Sequence, residues 1–364
     1  MNNTFGRNLT VTLVGESHGP MVGAVIDGMP SGVRIDEKEI MTLMDRRRPA
    51  GKTATARHES DIPQFLSGVK DGYSTGTPLT IMIPNENVRR SDYDRLADTP
   101  RPSHADYTGH IRYRGYEDAS GGGHFSGRLT AALTAAGAIC MHMLEQEGIH
   151  IATHILRLAD IEDRPMDPLK DMDALKDKAF PVLSDEQGEK MLEKIRTAAR
   201  ENDSLGGILE TAVTGLEAGT GDPFFDTVES LLAHALFAVP AVKGVSFGSG
   251  FGFADMKGSQ ANDPYAVKDG KIITLTNHNG GICGGITTGM PVCFQTVIRP
   301  TPSIGIPQST VNLKTMENTQ IRIGGRHDPA IVHRACPVID AVTAIVFADL
   351  LIGRYGYEHF GGER

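Results

Sequence analysis

Apolar and polar positions along the chain fall into recognisable periods. Leu9, Val11 and Leu13 alternate with polar neighbours, Gly15-Glu16-Ser17-His18-Gly19-Pro20 intervenes, and an apolar run resumes from Val22 to Ile26. That pattern predicts two strands around a polar turn within residues 9–35. From about Asp36 to Asp45 the period becomes helical, and Pro49 stops the helix just after Arg46, Arg47 and Arg48. Residues 51–120 show only short strand signals, notably Leu79 to Ile83, among Arg, Asp, Tyr and Gly. A connection of that length in a compact enzyme is either functional or mobile.

Three further helices follow. One runs from about Ser126 to Glu145 with Leu129, Ala132, Leu133, Ala136, Ala138, Ile139 and Met143 spread around most of its circumference. A second spans about Asp226 to Val239. The last, about Val338 to Tyr355, repeats the all-round apolar character through Ile339, Val342, Ile345, Val346, Leu350 and Leu351. Helices of this kind belong inside a large core. Short strands recur between residues 208 and 300, such as Leu209 to Thr214 and Val292 to Ile298, so the pattern predicts an α+β layered fold. Residues 155–205 are acidic, Lys-rich and interrupted by Pro165, Pro168 and Pro181, which marks a peripheral insert in what is otherwise a single domain over residues 1–364.

Composition narrows the function. The chain has 364 residues, 40% hydrophobic and 22% charged, which is the ordinary globular range. Its net charge of -9 argues against a duplex nucleic-acid binder and obliges any anionic ligand to find a local basic pocket. No run reads as a bilayer span of roughly 18 residues, and the polar start MNNTFGRNLT carries no export leader, so a cytoplasmic location is expected. Cys140, Cys283, Cys293 and Cys336 form no Cys-x-x-Cys pair and are expected to be buried free thiols.

Candidate chemistry lies in the turns. His18 and His104 occupy separate polar loops, and paired histidines commonly transfer protons near neutral pH, although a lone histidine is more often structural. Gly121-Gly122-Gly123-His124-Phe125-Ser126-Gly127-Arg128 opens a buried helix where backbone amides and Arg128 would favour an anion. It matches neither a dinucleotide fingerprint nor a Walker loop. Arg46, Arg47, Arg48, Lys52 and Arg57 lie within a dozen residues and suit a bidentate grip on carboxylate or phosphate. Arg326-His327-Asp328-Pro329 places a carboxylate beside a histidine before the last helix. His18, His104, His327 and Asp328 lack zinc-motif spacing, so no metal is expected.

Seven ordered motifs carry a resemblance: GESHGP at 15–20, DRRRPAG at 45–51, RPSHADYT at 101–108, GGGHFSGRLT at 121–130, TNHNGGICGGITTGMP at 276–291, RPTPSI at 299–304 and GRHDPAIVHRACPV at 325–338. Together, over residues 5–352, the chain resembles chorismate synthases. The resemblance implies a β-α-β sandwich, with apolar helices between antiparallel sheets, assembled as a homotetramer. It also implies a lyase that converts 5-enolpyruvylshikimate 3-phosphate to chorismate and phosphate by 1,4-anti elimination, using reduced FMN without net redox change. By motif position His18 would protonate the departing phosphate and His104 the reduced flavin. Asp328, with Ser17 beside it, would help the flavin N5 remove the C6 proton. Arg47, Arg48, Arg57 and Arg128 would hold the substrate's anions. Flavin contacts would come from His124, Phe125, Ser126, Ala241 and Gly284, from Arg299, Pro300, Thr301, Pro302 and Ser303, and from Arg326. The reductant would be NADPH or a separate flavin reductase.

The chain departs from the common family pattern at Ser103, where glycine is usual, at Phe125-Ser126-Gly127, at Pro240 and at Asp340. Two rival readings differ in behaviour. A flavin-storage module would bind FMN without turnover, and a metal-dependent phosphatase would lose activity to chelators.

Overall fold

The computed structural model describes residues 3–48, 60–86, 98–176, 178–324 and 328–362. Two antiparallel five-stranded sheets enclose a layer of helices. The first sheet contains Thr10–Gly15, Met21–Asp27 and Leu79–Pro84 as neighbours, with Thr4–Phe5 and Gln64–Ser67 at its edges. The strands expected at Val22 to Ile26 and Leu79 to Ile83 are present, and Val22, Ala24 and Ile26 on one and Leu79, Ile81 and Ile83 on the next are all fully buried. The second sheet runs in the order Val242–Phe247, Val292–Ile298, Gly207–Thr214, His150–Leu158 and Ile161–Glu162.

Six helices of eight residues or more are described: α1 (Glu37–Arg47), α2 (Asp106–Tyr113), α3 (Thr130–Gln146), α4 (Asp185–Arg200), α5 (Val228–Ala238) and α6 (Val332–Tyr355). α3 packs on the first sheet, α6 on the second, and the two pack on each other, with α1 against both. This is the expected sandwich with central apolar helices. The closest approach is at Gly137 of α3, where a Cβ would stand inside van der Waals distance of both the side chain and the backbone of Ala341 on α6. A glycine in a helix interior usually weakens it; here its missing side chain lets two helices touch.

α6 begins at Val332, six residues before the expected start at about Val338. Pro337 removes one helical hydrogen bond donor, but Val332, Ala335 and Cys336 are buried, and their packing carries the helix through it. At 24 residues and mean hydropathy 2.0, α6 is long and apolar enough to cross a bilayer; 89% of its most apolar window is buried inside the fold. Asp36 caps α1 by accepting from the amides of Lys38 and Glu39.

The segment expected as an insert at 155–205 starts later than predicted. Residues 155–158 belong to the strand His150–Leu158, and Ile155 and Leu158 are fully buried. The remainder lies over the outer face of the second sheet: Met166, Met172 and Leu175 pack on Ala152 and Ala212, and α4 turns Met191 and Ile195 into the main core. Of the cysteines, Cys140 and Cys336 are buried as expected, whereas Cys283 is exposed.

Two predictions follow from this packing. Gly137→Val should destabilise the protein by about 1–3 kcal/mol, the usual range for overpacking, read as a lower urea midpoint at unchanged slope. Adding Ala341→Gly should recover part of that loss, and a Gly137→Val protein as stable as its parent would mean the helices are free to separate. Asp340 of α6, 1% exposed, lies 3.6 Å from Arg46. Burial pushes its carboxyl from 3.8 up to about 6, against the pull of Arg46 and a hydrogen bond from Thr153. The native state therefore holds this proton more tightly than the unfolded chain, and the group's contribution to stability falls as pH rises from 3.8 through about 6. Asp340→Asn should flatten the stability profile in that window; an unchanged slope there would show that Asp340 does not titrate in it.

Candidate active site

The C-terminal ends of α1 and α5 and the N-terminal ends of α3 and α6 open on one cavity of about 720 Å³. Its lining is strongly cationic for an acidic chain. Among the described residues, Arg47, Arg48, Arg101, Arg128, Lys243, Arg299 and Arg334 line it with two carboxylates, Asp61 and Asp328, while Asp45 and Asp106 pair with Arg48 and Arg101 from outside the lining. The remaining wall is largely apolar, from Phe125, Val239, Ala241, Val242, Ile331, Ala335 and Val338.

His104 lies on the loop leading into α2. Its Nδ1 is 2.5 Å from Asp106 Oδ1, and Arg101 holds the same carboxylate through Nε and Nη2, both at 2.7 Å. Burial raises the Asp106 pKa, but the hydrogen bonds from Arg101 and His104 outweigh it and hold the carboxyl well below its ordinary range. A carboxylate can only accept, so Nδ1 carries the hydrogen toward Asp106 and Nε2 is left for exchange. Ser103 explains one departure from the family pattern: its φ of +61° is in the left-handed region that glycine occupies without strain.

Ser17 and His18 are not on the cavity surface. They lie directly behind Gly121, which is, and a Cβ on Gly121 would overlap the His18 ring. The flanking residues suggested an accessible imidazole, yet His18 is only 4% exposed because the turn over residues 120–125 covers it. Left-handed φ angles of +61°, +85° and +50° at Gly121, Gly122 and Gly123 make that cover possible. The two turns are joined by Ser17 N–H to the Gly123 carbonyl at 3.1 Å and by His124 Nδ1 to the Gly15 carbonyl at 2.8 Å. The triple glycine therefore docks one loop on another as well as opening a helix.

The arginines are held by partners that sequence reasoning missed. Arg128 donates to Asp61 Oδ1, to Asn85 Oδ1 at 2.9 Å and to the Pro84 carbonyl at 3.2 Å. Arg47 is 3.8 Å from Asp61 Oδ2, and Arg48 bonds the Ser60 carbonyl at 2.9 Å and pairs with Asp45. Asp328 is paired with Arg334, whose Nε donates to the Arg47 carbonyl at 2.9 Å. Asp61 stands fourteen residues beyond Arg47 and outside every motif, and Arg334, though inside the motif at 325–338, has nothing local to mark its partner.

His124, Phe125, Ser126, Ala241, Arg299, Thr301, Pro302 and Ser303 all line the cavity as expected, and Pro300 is in the same loop without lining it. Ala241 takes a φ of +77°, and its carbonyl accepts from Arg299 N–H at 2.9 Å. Gly284 is not brought to the cavity. It is exposed at the tip of the hairpin Ile282–Cys283 and Ile286–Thr287, which bonds to the N-terminal end of α5, whereas the cavity is at that helix's other end, about 16 Å away at 1.5 Å per residue. Arg57 and Arg326 lie outside the described residues. Glu39, His142 and Glu145, within 4.8 Å of one another, lie outside the cavity's lining.

A family model described as chorismate synthase matches residues 9–352. The chorismate synthase of Pyrococcus abyssi is 45% identical over 97% of this chain and 98% of its own length. That of Methanosarcina barkeri is 45% identical over 96% of each, and that of Dehalococcoides mccartyi 43% identical over 97% of each. A solved crystal structure of a chorismate synthase superposes with a TM-score of 0.73 at 25% identity, covering 96% of this chain and 93% of that one. The chain belongs to the chorismate synthase family, whose members are lyases acting on a phosphate-bearing substrate.

Proposed function

We propose that the cavity binds 5-enolpyruvylshikimate 3-phosphate together with reduced FMN and forms chorismate by 1,4-anti elimination of phosphate. The observation that carries this reading is the cavity's charge: seven cationic side chains against two carboxylates in a chain of net charge -9. The substrate brings two carboxylates and a phosphate, and arginine forks match both kinds of oxyanion. Arg47, Arg48 and Arg128 are the substrate's side of the cavity, with Arg57 as a further candidate.

In the elimination a proton leaves C6 to a base, its C–H electron pair forms a C6=C1 bond, the existing C1=C2 bond shifts to C2=C3, and phosphate departs with the C3–O electron pair, so atoms and electrons balance without an oxidant. Reduced FMN, when bound, supplies an electron-rich ring beside the substrate. The residues present fit it: Phe125, Ala241, Val242, Ile331, Ala335 and Val338 offer an apolar wall for a flat ring, and Arg299 and Lys243 offer charge for its phosphate. The cavity's size is within the usual range for small-molecule sites.

The chain's own groups divide the proton work. His104, oriented by Asp106, exchanges a proton through Nε2. His18, behind Gly121, is the acid for the departing phosphate, with Ser17 at its side. Asp328, held in place by its pair with Arg334, would assist removal of the C6 proton, for which the reduced flavin would supply the base when bound. The apolar wall keeps water away, which strengthens each ion pair. We assign the active protein as a single-domain chain in a cytoplasmic homotetramer, with its flavin reduced by NADPH or by a separate reductase.

Anaerobic reaction of 5-enolpyruvylshikimate 3-phosphate with dithionite-reduced FMN, followed by chorismate absorbance, should give product only when the flavin is reduced. Tight FMN binding without product under these conditions would replace this reading with flavin storage. His104→Ala should keep its circular dichroism spectrum and lose about 10²–10⁴-fold in kcat, the usual share of a positioned proton donor. Normal turnover by that variant at saturating reduced FMN would refute the role of His104.

A further inference from the structure

Asp61 is the least exposed charged group on the cavity, at 2%, and no proton step uses it. Its backbone adopts a φ of +51°, uncommon for a residue with a side chain. One carboxylate oxygen accepts from Arg128 and the other is 3.8 Å from Arg47, so a single anion stands between the guanidinium groups of two residues that are themselves only 7% and 5% exposed. The preceding residue extends the clamp, since the Ser60 carbonyl accepts from Arg48 and the Ser60 hydroxyl bonds Glu86 at 2.9 Å. The network continues inward. Arg128 Nε donates to Asn85 Oδ1, and Asn85 Nδ2 donates to the carbonyls of Glu16 at 3.0 Å and Gly19 at 2.9 Å, on either side of His18.

We propose that Asp61 is a positioning residue: its carboxylate holds Arg47 and Arg128 at a fixed spacing, ready for the substrate's anions, and ties that spacing to the His18 turn. Two like charges this close and this buried repel strongly unless an anion balances them. Without Asp61 the two forks separate, and each incoming oxyanion has to bring them back before it binds. Its loss therefore weakens binding of the ground state more than it slows the chemical step. This deepens the reading given above and rests on it for the identity of the substrate.

The test compares the parent protein, Asp61→Asn and Asp61→Glu. In turnover with reduced FMN, Asp61→Asn should raise KM for 5-enolpyruvylshikimate 3-phosphate at least tenfold while kcat falls less than threefold, and Asp61→Glu, which restores the charge but not the spacing, should leave KM several-fold above the parent and below that of Asp61→Asn. In an Arg47→Ala background, Asp61→Asn should change KM by less than threefold, because one of the forks it positions is gone; a general structural defect would persist in that background. Calorimetric titration with inorganic phosphate reads the same contact without turnover, and Asp61→Asn should weaken phosphate binding at least fivefold. A parent protein that binds phosphate but makes no chorismate would sink the functional reading and leave the phosphate result to decide this one. An unchanged KM and phosphate affinity in Asp61→Asn, or a tighter KM, which would make Asp61 a competitor of the substrate, overturns the proposal. Should Asp61→Asn fail to fold, Asp61→Glu decides: unchanged KM and phosphate affinity with the longer side chain overturn fixed spacing, and a several-fold loss supports it.

Discussion

Two helices that are apolar nearly all round have to be buried nearly all round, and the rest of this molecule is arranged to do so. α3 and α6 touch through Gly137 and Ala341, and a sheet covers each on its outer side. A layer packed this tightly admits few polar groups along its length; Thr343 bonds back to the Ile339 carbonyl, and burial favours the protonated form of Asp340. Polar chemistry is thereby confined to helix ends. The N-terminal ends of α3 and α6 and the C-terminal end of α1 meet at one place, and the cavity forms there.

The electrostatics of that place follow from its position. Arginines arriving from α1, from the start of α3 and from α6 converge in an apolar surround, where like charges repel more strongly than in water. The fold balances them with carboxylates: Asp61, which no motif contains, between Arg47 and Arg128, Asp328 beside Arg334, and Asp106 beneath Arg101 and His104. An excess of cations remains, and it makes the cavity a site for polyanions. The same carboxylates fix orientation, since each anchored guanidinium or imidazole loses the freedom to turn away.

Glycine has three distinct uses around this cavity. At Gly137 it permits helix contact; at Gly121 it makes room for His18 while taking a left-handed φ; at Gly123 its carbonyl receives Ser17 N–H. Ser103 stands in a left-handed position without being glycine, immediately before His104. The loop accepts that strain because Arg299 bonds the Ser103 carbonyl at 2.9 Å and Arg101 anchors the loop to Asp106.

Much of the fold was legible in the residues themselves. The apolar run from Val22 to Ile26 and the all-round apolarity of residues 130–146 are properties of short sequence windows, so strands, buried helices and an α+β layered fold could be read directly, and the ordered motifs carried the resemblance that implied the sandwich and the chemistry. The boundary at Pro337 was misplaced because tertiary burial of Val332 and Cys336 outweighed one lost hydrogen bond. Residues 155–158 were misplaced because a strand covered on both faces has no polar side to reveal it. The site's composition was legible and its wiring was not: Asp61 and Arg128 are 67 residues apart, and Arg334 and Arg47 are 287 apart. Periodicity and local spacing report which surface a residue prefers. Which charge meets which, whether His18 is open or covered, and where Gly284 ends up relative to the cavity depend on how distant elements pack, and only the tertiary structure decided them.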